Sequence, residues 1–157
     1  MTLRVLIADD DPVLREGLRS ILESKEDIEV VGEAGDGRTA VGMARVLRPD
    51  VVVMDIALPS LNGIEATRQI KATNPTVKVI ALSIHSNKLY ALGMLEAGAS
   101  GYVLKAAVYD ELYRAVRHVG QGKRYVNPDI TGVVVDAQRR APCATAARPR
   151  AGDSGRG

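Results

Sequence analysis

Short apolar runs alternate along this chain with longer segments whose apolar residues recur every three or four positions. Val5-Leu6-Ile7-Ala8, Val51-Val52-Val53-Met54 and Val79-Ile80-Ala81-Leu82 are nearly continuous, as strands covered on both faces of a sheet must be. Ile28 to Ala34 and 101–104 read as two further strands. Glu29, between Ile28 and Val30, places the first of these at a sheet edge. Leu14, Leu18, Ile21 and Leu22 mark one face of a helix, and Asp11-Pro12 ahead of it supplies an N-cap and a first-turn proline. Further helices are predicted over 38–47, 63–73, 86–97 and 108–120, the last carried by Leu112, Ala115, Val116 and Val119. The 86–97 segment has the poorest amphipathic contrast and holds Gly93 in its middle, features of low local stability. Five strands alternating with five helices make an α/β protein, a doubly wound parallel sheet of strand order 2-1-3-4-5.

Polar residues stand where the apolar runs stop. Asp9 and Asp10 follow the Val5 run, Asp55 the Val51 run, Ser83 the Val79 run, and Lys105 follows Tyr102-Val103-Leu104. Parallel strands would deliver all of them to the carboxyl edge of the sheet, where open α/β sheets bind ligands.

Composition narrows the classes open to such a site. At 157 residues, 46% of them hydrophobic, with neither Trp nor Phe, the chain is sized for one domain with an aliphatic core. No apolar run approaches the roughly 18 residues of a membrane span. The Val5 run ends in three acids, against a signal-peptide core, and the expected location is cytoplasmic. The lone Cys143 can form neither an internal disulfide nor a thiolate metal cage. The net charge of +2 is misleading, because residues beyond Val135 carry +3 and leave −1 for residues 1–135. That domain lacks the electrostatic footprint of a nucleic-acid binder.

From about residue 3 to 128 the chain resembles the receiver domain of two-component response regulators, of the sort that heads NarL/FixJ (LuxR-type) transcription factors. The resemblance rests on Ala8-Asp9-Asp10, on Met54-Asp55-Ile56-Ala57-Leu58-Pro59 with Asn62-Gly63, on Ala81-Leu82-Ser83, and on Gly98-Ala99-Ser100-Gly101-Tyr102-Val103-Leu104-Lys105, all in order. It implies a flavodoxin-like fold and an aspartyl phosphate formed on Asp55 from the phosphohistidine of a sensor histidine kinase, a carboxylate acting as nucleophile. It also implies Mg²⁺ held by Asp10, Asp55 and the backbone carbonyl of Ala57, with Asp9 acting largely through water. Three carboxylates so gathered repel by about 4 kcal/mol per pair at 4 Å and an effective dielectric near 20. Lys105 offsets one charge and a divalent cation two, and Mg²⁺ favours carboxylate, water and phosphate oxygens. Metal, Lys105 and Ser83 would supply the charge neutralisation phosphoryl transfer needs. The resemblance further implies a switch in which Ser83 and Tyr102 respond to the phosphoryl group, the Tyr102 ring moving inward. A homodimer on phosphorylation follows from it, as does a phosphoprotein that switches rather than an enzyme that turns over substrate.

Each residue also has a plainer reading. Asp9, Asp10 and Asp11 fit a solvated turn capping the first helix, and for Asp11 that is the whole role. Asp55 fits a helix-capping loop, Ser83 a backbone partner, Lys105 a solvated strand end, Tyr102 core packing and His85 a surface loop; their joint occurrence favours the site. Gly35-Asp36-Gly37-Arg38-Thr39-Ala40 matches G-x-G-x-x-A after a strand, with Asp55 twenty residues beyond Gly35, as a dinucleotide site built on Gly35, Gly37, Ala40 and Asp55 would require. That alternative leaves Asp9, Asp10, Ser83 and Lys105 without roles, and the glycines then simply turn the chain into the second helix. A haloacid-dehalogenase-type phosphatase would need an acid at position 57, where this chain has Ala.

Residues 1–130 are therefore expected to form the receiver domain and 131–157 a linker remnant and disordered tail, Ala-, Arg-, Pro- and Gly-rich without apolar period. The helix-turn-helix domain of a NarL/FixJ-type regulator is expected to be missing, either because the chain is a stand-alone receiver or, the favoured reading, through truncation or frameshift, leaving this chain no specific DNA binding of its own.

Overall fold

A computed structural model of the chain describes residues 2–84 and 88–126. It contains β1 (Leu3–Ala8), α1 (Pro12–Glu23), β2 (Ile28–Ala34), α2 (Gly37–Leu47), β3 (Val51–Asp55), α3 (Gly63–Thr73), β4 (Lys78–Ser83), α4 (Lys88–Ala97), β5 (Gly101–Leu104), α5 (Val108–Gly120) and β6 (Tyr125–Val126). The sheet is parallel in the order β2-β1-β3-β4-β5-β6. The predicted 2-1-3-4-5 order is thus present, with a sixth strand of two residues added outside β5.

Alternation along the strands builds two cores. Leu6, Ala8, Val52, Met54, Val79, Ala81 and Tyr102 face one side of the sheet, where Ala40, Ala44, Ala66, Ile70, Ala91 and Met94 of α2, α3 and α4 cover them. Val5, Ile7, Val51, Val53, Ile80, Leu82 and Val103 face the other, beneath Leu18 and Leu22 of α1 and Leu112, Val116 and Val119 of α5. Consecutive strand residues point to opposite faces, so a run apolar at every position needs helices on both sides. Glu29 is exposed on β2, at the sheet edge predicted for it.

Helix starts follow their caps. Asp11 accepts from the amides of Val13 and Leu14, Asp36 from that of Thr39, and Asn62 from that of Glu65. In α4 the apolar residues face both ways, Ala91 and Met94 buried but Leu89 76% exposed. The sequence marks Gly93 as a weakness, but the structure gives it a packing role: a Cβ there would lie 2.8 Å from Ile64 Cδ1 on α3. The start of the helix predicted from 86, together with His85 and the 131–157 tail, lies outside the described residues. Among the described residues no helix is long and apolar enough to cross a membrane.

Candidate functional site

Three strand ends and the first turn after β5 converge as the alternation requires. Asp9 immediately follows β1, Asp55 ends β3, Ser83 ends β4, and Lys105 opens a single 3₁₀ turn, Lys105–Ala107, after β5. Carboxylate oxygens of Asp9, Asp10 and Asp55 all lie within 4.8 Å of one another. Asp9 is fully buried and Asp55 is 3% exposed, while Asp10 faces solvent. The cluster therefore opens outward through Asp10.

Lys105 bridges the two buried acids. Its Nζ lies 3.0 Å from Asp9 Oδ2 and 3.1 Å from Asp55 Oδ2, but only the Asp55 contact has hydrogen-bond geometry. Asp9 Oδ2 is thus a buried oxygen with a nearby charge and, among the described residues, no hydrogen bond to satisfy it. Its partner oxygen accepts from the Asp11 amide at 2.8 Å, and Asp55 Oδ1 accepts from the Ala57 amide at 3.1 Å. Burial pushes the Asp9 carboxyl above its ordinary range and repulsion from Asp55 adds to this, against the Asp11 amide and Lys105. Burial opposes the charge on Lys105, yet the close carboxylates of Asp9 and Asp55 hold its pKa above the usual lysine value. One ammonium among three carboxylates leaves an excess of negative charge. An unsatisfied oxygen, a set of acceptor-only ligands and an open side fit a hard divalent cation.

Ser83 is 5% exposed and Tyr102 is fully buried. Burial raises the Tyr102 phenol, and its hydrogen bond with Ser83 acts in the opposite direction. The inward position that the resemblance assigns to a moving ring is already occupied here. Tyr102 therefore packs in the core, as its plainer reading has it, and also shares a hydrogen bond with Ser83 that the sequence does not indicate.

Some of the site is silent in the sequence. Arg15 on α1 donates from Nη1 to the Asp9 carbonyl at 2.6 Å and from Nε to Glu33 at 3.1 Å, tying the acidic loop to β2. Position and charge alone give no reason to choose this arginine over its neighbours. The glycine motif is not a dinucleotide site. The Gly37 amide donates to the Pro59 carbonyl at 3.1 Å, and a Cβ on Gly37 would lie 1.7 Å from the Leu61 oxygen. The space and the donor that a pyrophosphate would require are taken by the chain's own backbone.

A model of the response regulator receiver domain matches residues 5–117. This chain belongs to that family. It is 41% identical over 138 residues to the transcriptional regulatory protein DegU of Brevibacillus brevis, covering 88% of this chain and 58% of that protein. It is likewise 41% identical over 128 residues to the response regulator UvrY of Escherichia coli, covering 82% of this chain and 59% of that protein. It thus spans about three fifths of these curated relatives. Among solved structures, a LuxR-family two-component response regulator from Aurantimonas sp. SI85-9A1 superposes with a TM-score of 0.81 at 37% identity, covering 88% of this chain and 99% of that one. The isolated REC domain of RcsB from Salmonella enterica serovar Typhimurium, solved with phosphomimetic BeF3-, gives 0.77 at 27% identity, covering 85% and 99% respectively. The doubly wound sheet expected from the strand pattern and the acidic cluster expected at its edge are both present.

Proposed function

We propose that this receiver is a phosphorylation-controlled switch whose nucleophile is Asp55, fed by the phosphohistidine of a sensor histidine kinase. The observation that carries the reading is the meeting of Asp9, Asp10 and Asp55 within 4.8 Å beside Lys105. An Asp55 carboxylate oxygen attacks phosphorus, the P–N bond to the kinase imidazole breaks, and its electron pair stays on the imidazole nitrogen, leaving an acyl phosphate on Asp55. Hydrolysis of that acyl phosphate by water resets the chain, so it is a switch and not an enzyme that turns over a metabolite.

Lys105 orients Asp55 before transfer and neutralises charge on the phosphoryl oxygens during it. The Ala57 amide holds Asp55 Oδ1, leaving Oδ2 toward Lys105. Ser83, one hydrogen bond from Tyr102, transmits the arrival of new acceptor oxygens to β5 and the neighbouring α4 and α5 faces. Asp10, Asp55 and the Ala57 carbonyl would hold Mg²⁺, with Asp9 acting largely through water, and the ion would supply charge compensation for the phosphoryl group. The output is homodimerisation and, in a longer protein with a DNA-binding domain, control of transcription in the cytoplasm; this chain alone binds no specific DNA sequence.

Incubation with acetyl phosphate and Mg²⁺ tests the assignment. Intact-mass analysis is expected to show one acid-labile phosphoryl group on the wild type and none on Asp55→Asn. Equal labelling of the variant moves the nucleophile elsewhere.

A further inference from the structure

The Gly35-Asp36-Gly37 turn is unused by the proposed chemistry, yet it is wired to the segment that follows Asp55. Ser60 Oγ donates to Asp36 Oδ1 at 3.2 Å, the same oxygen that accepts from the Thr39 amide at 2.8 Å. The Gly37 amide donates to the Pro59 carbonyl at 3.1 Å, and the Leu61 amide returns to that carbonyl at 2.7 Å, closing a tight turn over Ser60. Ser60 has φ +65°, a left-handed conformation that a non-glycine residue holds at a cost in strain. Leu61 is seated so closely on Gly37 that a side chain there is excluded. At its other end the segment is fastened to β4 by the Ile56 amide, which donates to the Leu82 carbonyl at 3.1 Å. Between the two fastenings lies Ala57, whose amide holds the Asp55 carboxylate.

We propose that Asp36 and Ser60 are positioning residues for the phosphoacceptor loop, the turn before α2 being a socket that holds Pro59 to Leu61 so that Ala57 meets Asp55 and the cation. This rests on the phosphoacceptor reading of Asp55. Neither residue touches the reacting atoms. They act through the backbone of residues 57–60, as groups outside a metal site orient the ligands within it.

The test compares the wild type with Asp36→Ala, Asp36→Asn and Val116→Ala at a temperature where all are folded. Val116→Ala, in the opposite core beneath α5, controls for lost stability alone. Three quantities are read by NMR and mass spectrometry: the metal-free Ala57 amide shift, the Mg²⁺ dissociation constant and the rate of labelling by acetyl phosphate. Asp36→Ala is expected to shift the Ala57 resonance, weaken Mg²⁺ about tenfold and slow labelling, while Asp36→Asn, which keeps an acceptor for Ser60, stays within about twofold of wild type. Val116→Ala leaves all three unchanged. Wild-type Mg²⁺ affinity and Ala57 shift in Asp36→Ala overturn the proposal, as do equal changes in Val116→Ala. A wild type that takes no phosphoryl group overturns the reading beneath it, and this inference with it.

Discussion

Lys105 Nζ donates to Asp55 Oδ2 at 3.1 Å across fifty residues of chain. The contact exists because β5 and β3 both lie beside β4, so their carboxyl ends emerge one strand apart. The ammonium sits in a half-buried position where removing it strands two buried carboxylates.

Lys105→Ala is therefore expected to destabilise the metal-free protein by about 1–3 kcal/mol at neutral pH, less than a fully buried pair because the site opens to solvent. A group whose pKa is raised on folding contributes stability that is complete below its unfolded value and lost as pH rises through its folded one. For Lys105 that loss begins above the ordinary 10.5. Denaturant midpoints of wild type and variant should stay apart through neutral pH and converge in alkali. Mg²⁺ binding is expected to persist in the variant, while the phosphorylation-dependent shifts of α4 and β5 amides are lost.

Asp9 has the opposite effect on stability. Its carboxyl is raised by burial, so above the ordinary 3.8 the folded state holds the proton more tightly than the unfolded one, and stability falls as pH rises through the folded value. Asp9→Asn is expected to melt higher than wild type at pH 7, with the gap narrowing as the pH approaches 4. Calorimetry across that range, without metal, is the measurement; a lower melting temperature at every pH refutes it. Mg²⁺ should raise the wild-type Tm more than that of the variant, by linkage.

Two glycines respond oppositely to alanine. A Cβ at Gly63 would lie 2.3 Å from the Asp55 carbonyl oxygen, whereas at Gly42 in α2 nothing lies within 4 Å. Gly63→Ala should cost about 1–3 kcal/mol by forcing backbone apart, and slow acetyl phosphate labelling by moving Asp55. Gly42→Ala should add about 1 kcal/mol from helix propensity and leave labelling unchanged. Urea titration and intact-mass kinetics on both variants read the contrast.

Sequence-specific DNA binding by this chain is expected to be absent even after phosphorylation. Residues 1–135 carry a net charge of −1, and the +3 of the remainder permits only weak, salt-sensitive attraction. A gel-shift competition at physiological salt decides this, and a specific footprint refutes it.

The sequence by itself determined the strand and helix order, the two-sided cores and the gathering of Asp9, Asp10, Asp55, Ser83 and Lys105 at one edge. Apolar runs such as Val51 to Met54 permit no exposed face, and a parallel sheet then leaves each terminal polar residue one place to go. Tertiary structure decided what depends on pairs distant in the chain and written in backbone atoms. Arg15 reaches the Asp9 carbonyl, Gly37 receives the loop of Leu61, Gly93 clears room for Ile64, and Tyr125 and Val126 add a strand beside β5. The glycine turn shows the division most clearly. Its local spacing suits a phosphate-binding loop as well as a socket for protein backbone, and only the approach of residues 59–61 from across the sheet edge selects between them, because a carbonyl already fills the space a ligand would need.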